Sequence, residues 1–265
     1  MEKKPFDISF KWIGVATWIM TVNGVKIACD PVLCPKDTVQ VHAPGFTSKR
    51  LTEPVFEEDD FKAIDIWLIS HEHLDHLDDE GLLRINKSST IIANKKAEKK
   101  LQTINPDNLN ITQWGQTLSY SLKGLTIKIE TLPTVHANNF LVAYMLGGGN
   151  GYWLTIKKGN ETLEVYVTGD TISHRKVLDV LQGRKADILI PNIGAPFKNK
   201  FGGPFTFTID SLQPVIDRVN PETILPVHFG SFSHFHETGD VVKNWKDERV
   251  KIVAEGDCYL STDLL

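Results

Sequence analysis

Apolar and polar positions alternate through the first thirty residues. Ile8-Ser9-Phe10-Lys11-Trp12-Ile13, Thr17-Trp18-Ile19-Met20-Thr21-Val22 and Val25-Lys26-Ile27-Ala28-Cys29 predict three strands, with Asn23-Gly24 as the hairpin turn between the last two. Asp30 ends the third strand and Pro31 forces the chain out of the sheet. On local grounds the acid is either a turn former or part of a site. Residues 31–60 hold Pro31, Pro35, Pro44 and Pro54 with little periodicity and predict a long connection, of the kind that forms lids or binding loops. Within it, Lys49, Arg50 and His42 are contacts for an anionic substrate or simply solvated charge.

The apolar, β-branched run Ile64-Asp65-Ile66-Trp67-Leu68-Ile69 predicts a buried strand. A short helix over 79–86, a strand over 89–93 and a polar helix over 95–102 follow, then strands around 111–114 and 118–120. Residues 125–132 alternate as a half-buried strand. Two further strands are predicted over 140–146 and 152–157, joined by the glycine run 147–151, which lacks the Lys-Ser or Lys-Thr of a phosphate loop. After a strand over 163–167, Ser173 predicts the cap of a helix running to Leu181. A strand over 187–190, a Gly/Pro/aromatic loop over 191–207 with Lys198 and Lys200, and a helix over 209–219 capped by Thr208 and containing Pro214 come next. The tail predicts a strand over 223–227, a helix near 240–247 and strands at 250–254 and 259–261. No composition break marks a linker, so residues 1–265 read as one domain. Its two halves end strands in His or Asp, as two sheets would if they presented side chains at one shared edge.

Composition narrows the picture. With 41% apolar residues in a chain of 265, a sizeable core can be filled. The formal net charge is −4 and no block of Lys or Arg stands out beyond Lys95-Lys96 and Lys99-Lys100, which argues against a nucleic-acid groove. Cys29, Cys34 and Cys258 are odd in number and form no C-x-x-C pair, so a disulfide framework is not expected. Cys29 itself reads as a small buried hydrophobe. No apolar segment follows the first lysines and none is long enough to span a membrane, and the reading is a cytoplasmic protein.

The chemistry centres on Ser70-His71-Glu72-His73-Leu74-Asp75-His76, which leaves the end of the strand predicted over 64–69. In an extended segment alternate side chains share a side, so His71, His73 and Asp75 converge, and His76 swings another nitrogen inward from the next helical turn. Four ligand-type groups within six residues exceed what one tetrahedral ion with an open water position uses, and two ions are the natural reading. His136 follows the strand predicted over 125–132 as His71 follows its own. Asp170 follows Gly169, which lets a carboxylate approach a metal closely. Ser233-His234-Phe235-His236 offers a leaving-group acid or phosphate contact, His234 or His236, or is an exposed polar loop.

Asp30, His71-x-His73-x-Asp75-His76, His136, Asp170 and His228 together resemble the metallo-β-lactamase-fold hydrolase superfamily, in its order and over nearly the whole chain. Trp12-Ile13-Gly14, Val167-Thr168-Gly169-Asp170-Thr171 and Pro226-Val227-His228-Phe229-Gly230 look most like the branch of sugar-phosphate lactonases and N-acylphosphatidylethanolamine phospholipases. The resemblance implies an α+β fold, a four-layer αββα sandwich with its site at the edge of the two sheets. It also implies that His71, His73 and His136 hold one metal, that Asp75, His76 and His228 hold another, that Asp170 bridges them and that Asp30 orients a histidine ligand. Val15 stands where that branch often has His. His73 stands where oxygen-reducing di-iron relatives usually have Glu, which weighs against an oxidoreductase.

Imidazole and carboxylate ligands suit two divalent ions, Zn first and Mn or Fe as well. A metal pair generates hydroxide at neutral pH, and Asp75 beside it can orient it or take its proton. The expected function is hydrolysis of an ester, lactone or phosphodiester bond in a small molecule. The alternatives are a nuclease-type phosphodiesterase, which would need a basic groove, and a metal-binding sensor or scaffold without turnover. No nucleic-acid partner and no membrane span are expected, and oligomeric state has no signal.

Overall fold

A computed structural model describes residues 6–43, 46–196 and 203–260. Pro44, Lys198, Lys200 and Ser261 lie outside the described residues. The three opening segments become β1 (Ile8–Gly14), β2 (Thr17–Val22) and β3 (Val25–Cys29), an antiparallel meander in which Met20 lies opposite both Phe10 and Ile27. The connection expected over 31–60 contains a hairpin, β4 (Val39–Ala43) and β5 (Phe46–Lys49). Arg50 is not a solvated charge: it is fully buried, with its guanidinium over the Phe232 ring. Lys49 is exposed and paired with Asp37 at 2.7 Å.

The buried run gives β6 (Ile66–Ile69), followed by α1 (Asp79–Leu82), β7 (Thr90–Ala93), α2 (Glu98–Leu101), β8 (Asn108–Ile111), β9 (Thr117–Leu122) and β10 (Leu125–Pro133). Residues 140–146 are not a strand. They form α3 (Phe140–Leu146), because Asn139 Oδ1 accepts from the amides of Leu141 and Val142 and caps a helical turn. Next come β11 (Asn150–Lys158), β12 (Glu161–Val167) and α4 (Arg175–Val180), which is capped by the His174 ring rather than by Ser173; the Ser173 hydroxyl instead donates to Ser211 O. The remaining elements are β13 (Ile188–Ile190), α5 (Ile209–Val219) with its Thr208–Ser211 capping box, β14 (Thr223–Ile224), α6 (Gly239–Lys243) and β15 (Cys258–Leu260). Residues 250–254 contribute only a bridge from Val250 to Ile224.

Two sheets result, ordered β15-β1-β2-β3-β6-β7-β8 and β14-β13-β12-β11-β10-β9. Strand alternation sorts the side chains. In the first sheet Ile19, Ala28, Trp67 and Ile91 lie in register on the outer face and pack with Leu82 of α1 and Leu101 of α2. Phe10, Met20, Ile27 and Ile66 join Ile127, Ile129, Leu154 and Val165 of the second sheet in the shared core. Val177 of α4 and Leu212, Val215 and Ile216 of α5 belong to the same apolar cluster. The molecule is thus an α+β sandwich of the αββα kind, and Tyr152 crosses it, donating from its hydroxyl to Ile69 O at 2.8 Å.

Candidate active site

Strand ends carry the site. β3 delivers Asp30, β6 delivers Ser70 and His71, and β10 delivers His136. β12 leads to Asp170 through Gly169, whose positive φ of 59° and contact with Asn150 O exclude a side chain. His228 follows Val227, which bridges to Asn192 just beyond β13. Asp30 and His228 hold left-handed backbone, with φ of 39° and 62°, a conformation that non-glycine residues keep only where surrounding contacts impose it.

Hydrogen bonds fix the imidazoles. The Ser70 amide and hydroxyl donate to the two oxygens of buried Asp30, at 2.7 and 2.5 Å. With its own proton committed there, Ser70 Oγ accepts from His71 Nδ1 at 2.9 Å, which leaves His71 Nε2 as a bare lone pair. His76 Nδ1 donates to Asp30 Oδ2 at 2.8 Å, which leaves its Nε2 bare. His73 Nε2 donates to Leu146 O at 3.2 Å, which leaves Nδ1 bare. These bare nitrogens point into one space. His71 Nε2 is 2.9 Å from His73 Nδ1 and 3.4 Å from His136 Nε2. Lone pairs so close repel unless a cation lies among them.

Across from them, His76 Nε2 is 3.1 Å from Asp170 Oδ2 without hydrogen-bonding geometry, and His228 Nε2 is 3.6 Å from Asp75 Oδ2. Both ring nitrogens of His228 are buried and have no hydrogen-bond partner among the described residues, a costly state that a metal ion relieves. Three groups have converging ligand atoms: His71, His73 and His136; His71, His76 and Asp170; Asp75, His76 and His228. The residues present therefore fit divalent cations.

Electrostatics follow from burial and pairing. Burial drives His71 well below its ordinary value, helped by His76, His73 and His136, and pushes His136 down to about 4. Burial also works against a charged His76, yet the carboxylates of Asp170 and Asp30 hold it well above its ordinary value. For Asp170, burial opposes ionisation but His228 and His76 hold the carboxyl well below the usual range. Asp75 is likewise held low against its burial by the neighbouring imidazoles of His228 and His234.

A cavity of about 340 Å³ opens over the cluster. Phe46, Leu74, Leu146 and Phe205 line it together with His73, Asp75, His136 and Asp170. His234 also lines it, with Nε2 3.3 Å from Asp75 Oδ2, whereas His236 is exposed and lies outside the lining. His42 lines the same cavity, stacked on Phe46 and held by Ser48 Oγ at 2.7 Å. Two contributors had no sequence signal of their own. Asn192 donates to Asp170 Oδ1 at 2.7 Å, and Gln40 donates to Leu74 O at 2.9 Å.

A two-sheet sandwich with a His/Asp cluster at the sheet edge defines a metallo-β-lactamase-type hydrolase. The family profile described as "Beta-lactamase superfamily domain" matches residues 9–228, and the chain belongs to that family of metal-dependent hydrolases. Among relatives, it is 27% identical over 262 residues to the N-acyl-phosphatidylethanolamine-hydrolyzing phospholipase D 1 of Caenorhabditis elegans, covering 90% of this chain and 69% of that protein. It is 25% identical over 240 residues to a metal-dependent hydrolase of Anaeromyxobacter dehalogenans, covering 88% and 78%. The crystal structure of isothiocyanate hydrolase from Delia radicum gut bacteria shares the fold, with a TM-score of 0.77, 21% identity and coverage of 95% and 98%.

Proposed function

We propose that the chain is a two-metal hydrolase acting on a small ester or lactone. The observation that carries this is the set of outward N–H bonds from His71, His73 and His76, which turns one bare nitrogen of each ring toward a shared, buried, acid-lined space. His71, His73 and His136 would hold one ion, and Asp75, His76 and His228 the other, with Asp170 between them. When bound, such a pair lowers the pKa of water from about 15.7 toward 7 and polarises the oxygen under attack. Asp75, kept ionised by His228 and His234, orients the attacking water and accepts its proton at Oδ2. His234 Nε2, beside that oxygen, is placed to hand a proton to the departing oxygen.

Phe46, Leu74, Leu146 and Phe205 give the cavity an apolar wall, which favours a neutral carbonyl substrate over an anionic phosphodiester. Phosphodiester cleavage is the second reading, favoured by likeness to the C. elegans phospholipase. The core shared by both sheets supports reading the chain as one domain. Free thiols at Cys29, Cys34 and Cys258 support a cytoplasmic setting, and among the described residues no helix is long and apolar enough to cross a membrane. The test is metal analysis of the purified protein with a panel of esters, lactones and phosphodiesters. Two equivalents of a divalent ion, activity lost on chelation and restored by that ion, and loss of metal and rate in Asp170→Ala are expected. An Asp170→Ala protein with full metal and full rate would end this reading.

A further inference from the structure

Helix α3 carries seven apolar residues, Phe-Leu-Val-Ala-Tyr-Met-Leu, none of them buried. Phe140, Leu141, Tyr144 and Met145 are 78%, 68%, 78% and 81% exposed, an unusual concentration of apolar surface for so short an element. The helical period sorts these residues between two cavities. Phe140, Ala143, Tyr144 and Gly147, at i, i+3, i+4 and i+7, line a cavity of about 400 Å³ whose wall includes Trp114 and Val135. Met145 and Leu146 line the cavity over the His/Asp cluster. His136 borders both. Trp114 is fixed by its Nε1 bond to Gly149 O at 2.9 Å, and the last carbonyl of α3 is tied to His73. The helix is thus a partition, with a chamber on each side meeting at His136.

We propose that the chamber between α3 and Trp114 is a second substrate subsite, which takes an aliphatic arm extending from the bond attacked beside His136. The inference rests on the hydrolase reading and narrows it to substrates with a medium-length apolar chain. A chain occupies this chamber, rather than a second copy of the protein, because Phe140, Ala143 and Tyr144 line a concavity that shares His136 with the cavity over the His/Asp cluster. Lys176 and His174 in the same wall suit a polar or anionic chain terminus.

The probes are laurate, kept below its micelle-forming concentration, and acetate, titrated calorimetrically into the metal-loaded protein. Ala143→Phe fills the chamber from a partly exposed helical position, and Leu83→Ser, at an exposed residue lining neither cavity, is the control. The ratio of laurate to acetate affinity falls at least tenfold in Ala143→Phe and is unchanged in Leu83→Ser. The ratio of kcat/KM for 4-nitrophenyl laurate over acetate falls likewise. An unchanged laurate ratio in Ala143→Phe overturns the subsite. So does a dimer that Tyr144→Ser dissociates while laurate affinity stays the same, which would make α3 an interface between copies. If the laurate affinity ratio falls but no ester is turned over, the subsite stands and the hydrolase reading is what fails.

Discussion

His76 lies between two carboxylates that it cannot satisfy as a neutral ring. Asp30 accepts a hydrogen bond from its Nδ1, while Asp170 Oδ2 stands 3.1 Å from Nε2. These acids, acting against burial, raise His76 well above its ordinary value, so Nε2 favours a positive partner, a proton or a cation in its place. An imidazole binds a metal only in its neutral form, so under the proposed ligand set loading at His76 displaces any proton on Nε2. Titration calorimetry at pH 7 in buffers of different ionisation enthalpy should show about one proton released from His76 per filled site, with apparent affinity rising as pH rises. His136 contributes with the opposite sign. Its folded value of about 4 lies below the unfolded value of about 6.5, so its stabilisation is present above 6.5 and is lost as pH falls toward 4. Asp30→Asn tests the orientation directly. An amide at that position donates to Nδ1, moves the ring proton to Nε2 and removes the lone pair. A 10- to 100-fold loss of metal affinity with an unaltered circular dichroism spectrum is expected.

At the scale of elements, the loop after His228 is held by the β4–β5 hairpin. Leu51 N donates to Ser231 O at 2.8 Å and Ser233 N donates to Lys49 O at 2.9 Å, with Arg50 buried at the junction over Phe232. On the other side the loop touches Gly194, where an added Cβ would lie 2.3 Å from His228 O and 3.1 Å from its Nδ1. Gly194→Ala must push His228 out of place. A loss of about 1–3 kcal/mol in denaturant unfolding is expected, together with reduced metal content in the purified protein. Neither contact could be read from the sequence, and the reason is physical. In β4 the alternation is inverted: Gln40 is buried, where its amide donates to Leu74 O, while Val39 and Val41 are exposed. A pattern reader looking for an apolar inner face sees only a connection. In α3 an unbroken apolar run has no period at all, and only the Asn139 cap separates helix from strand. The alternating strands and the spacing from His71 to His76 were legible, because there a buried face imposes a period of two and the cluster sits within one short segment. Asn192 was silent, since an asparagine after a strand is ordinarily a turn former.

For the whole molecule, the candidate site is a seam between sheets. His71, His73, Asp75 and His76 extend from β6 of the first sheet, whereas His136 and Asp170 extend from β10 and β12 of the second. Tyr152 of β11 makes the same crossing inside the core. Its hydroxyl lies 2.8 Å from Ile69 O and 3.2 Å from Ile92 O, one residue before Ser70 and at the end of β7. Tyr152→Phe removes that donor from a fully buried position and leaves both carbonyls without it, at a cost of about 1–3 kcal/mol. Ions bound to both sheets would clamp the same seam from outside, and ligands that bind only the folded state raise its stability by mass action. Chelation should therefore lower the melting temperature of the parent protein. In Tyr152→Phe the deficit relative to the parent should be larger without metal than with it, because one tie compensates for loss of the other. Scanning calorimetry of the two proteins, each with and without chelator, reads the coupling as a double-mutant cycle. Strictly additive shifts would mean that the ions bind without bridging the sheets, which would detach His136 and Asp170 from the cluster built on His71.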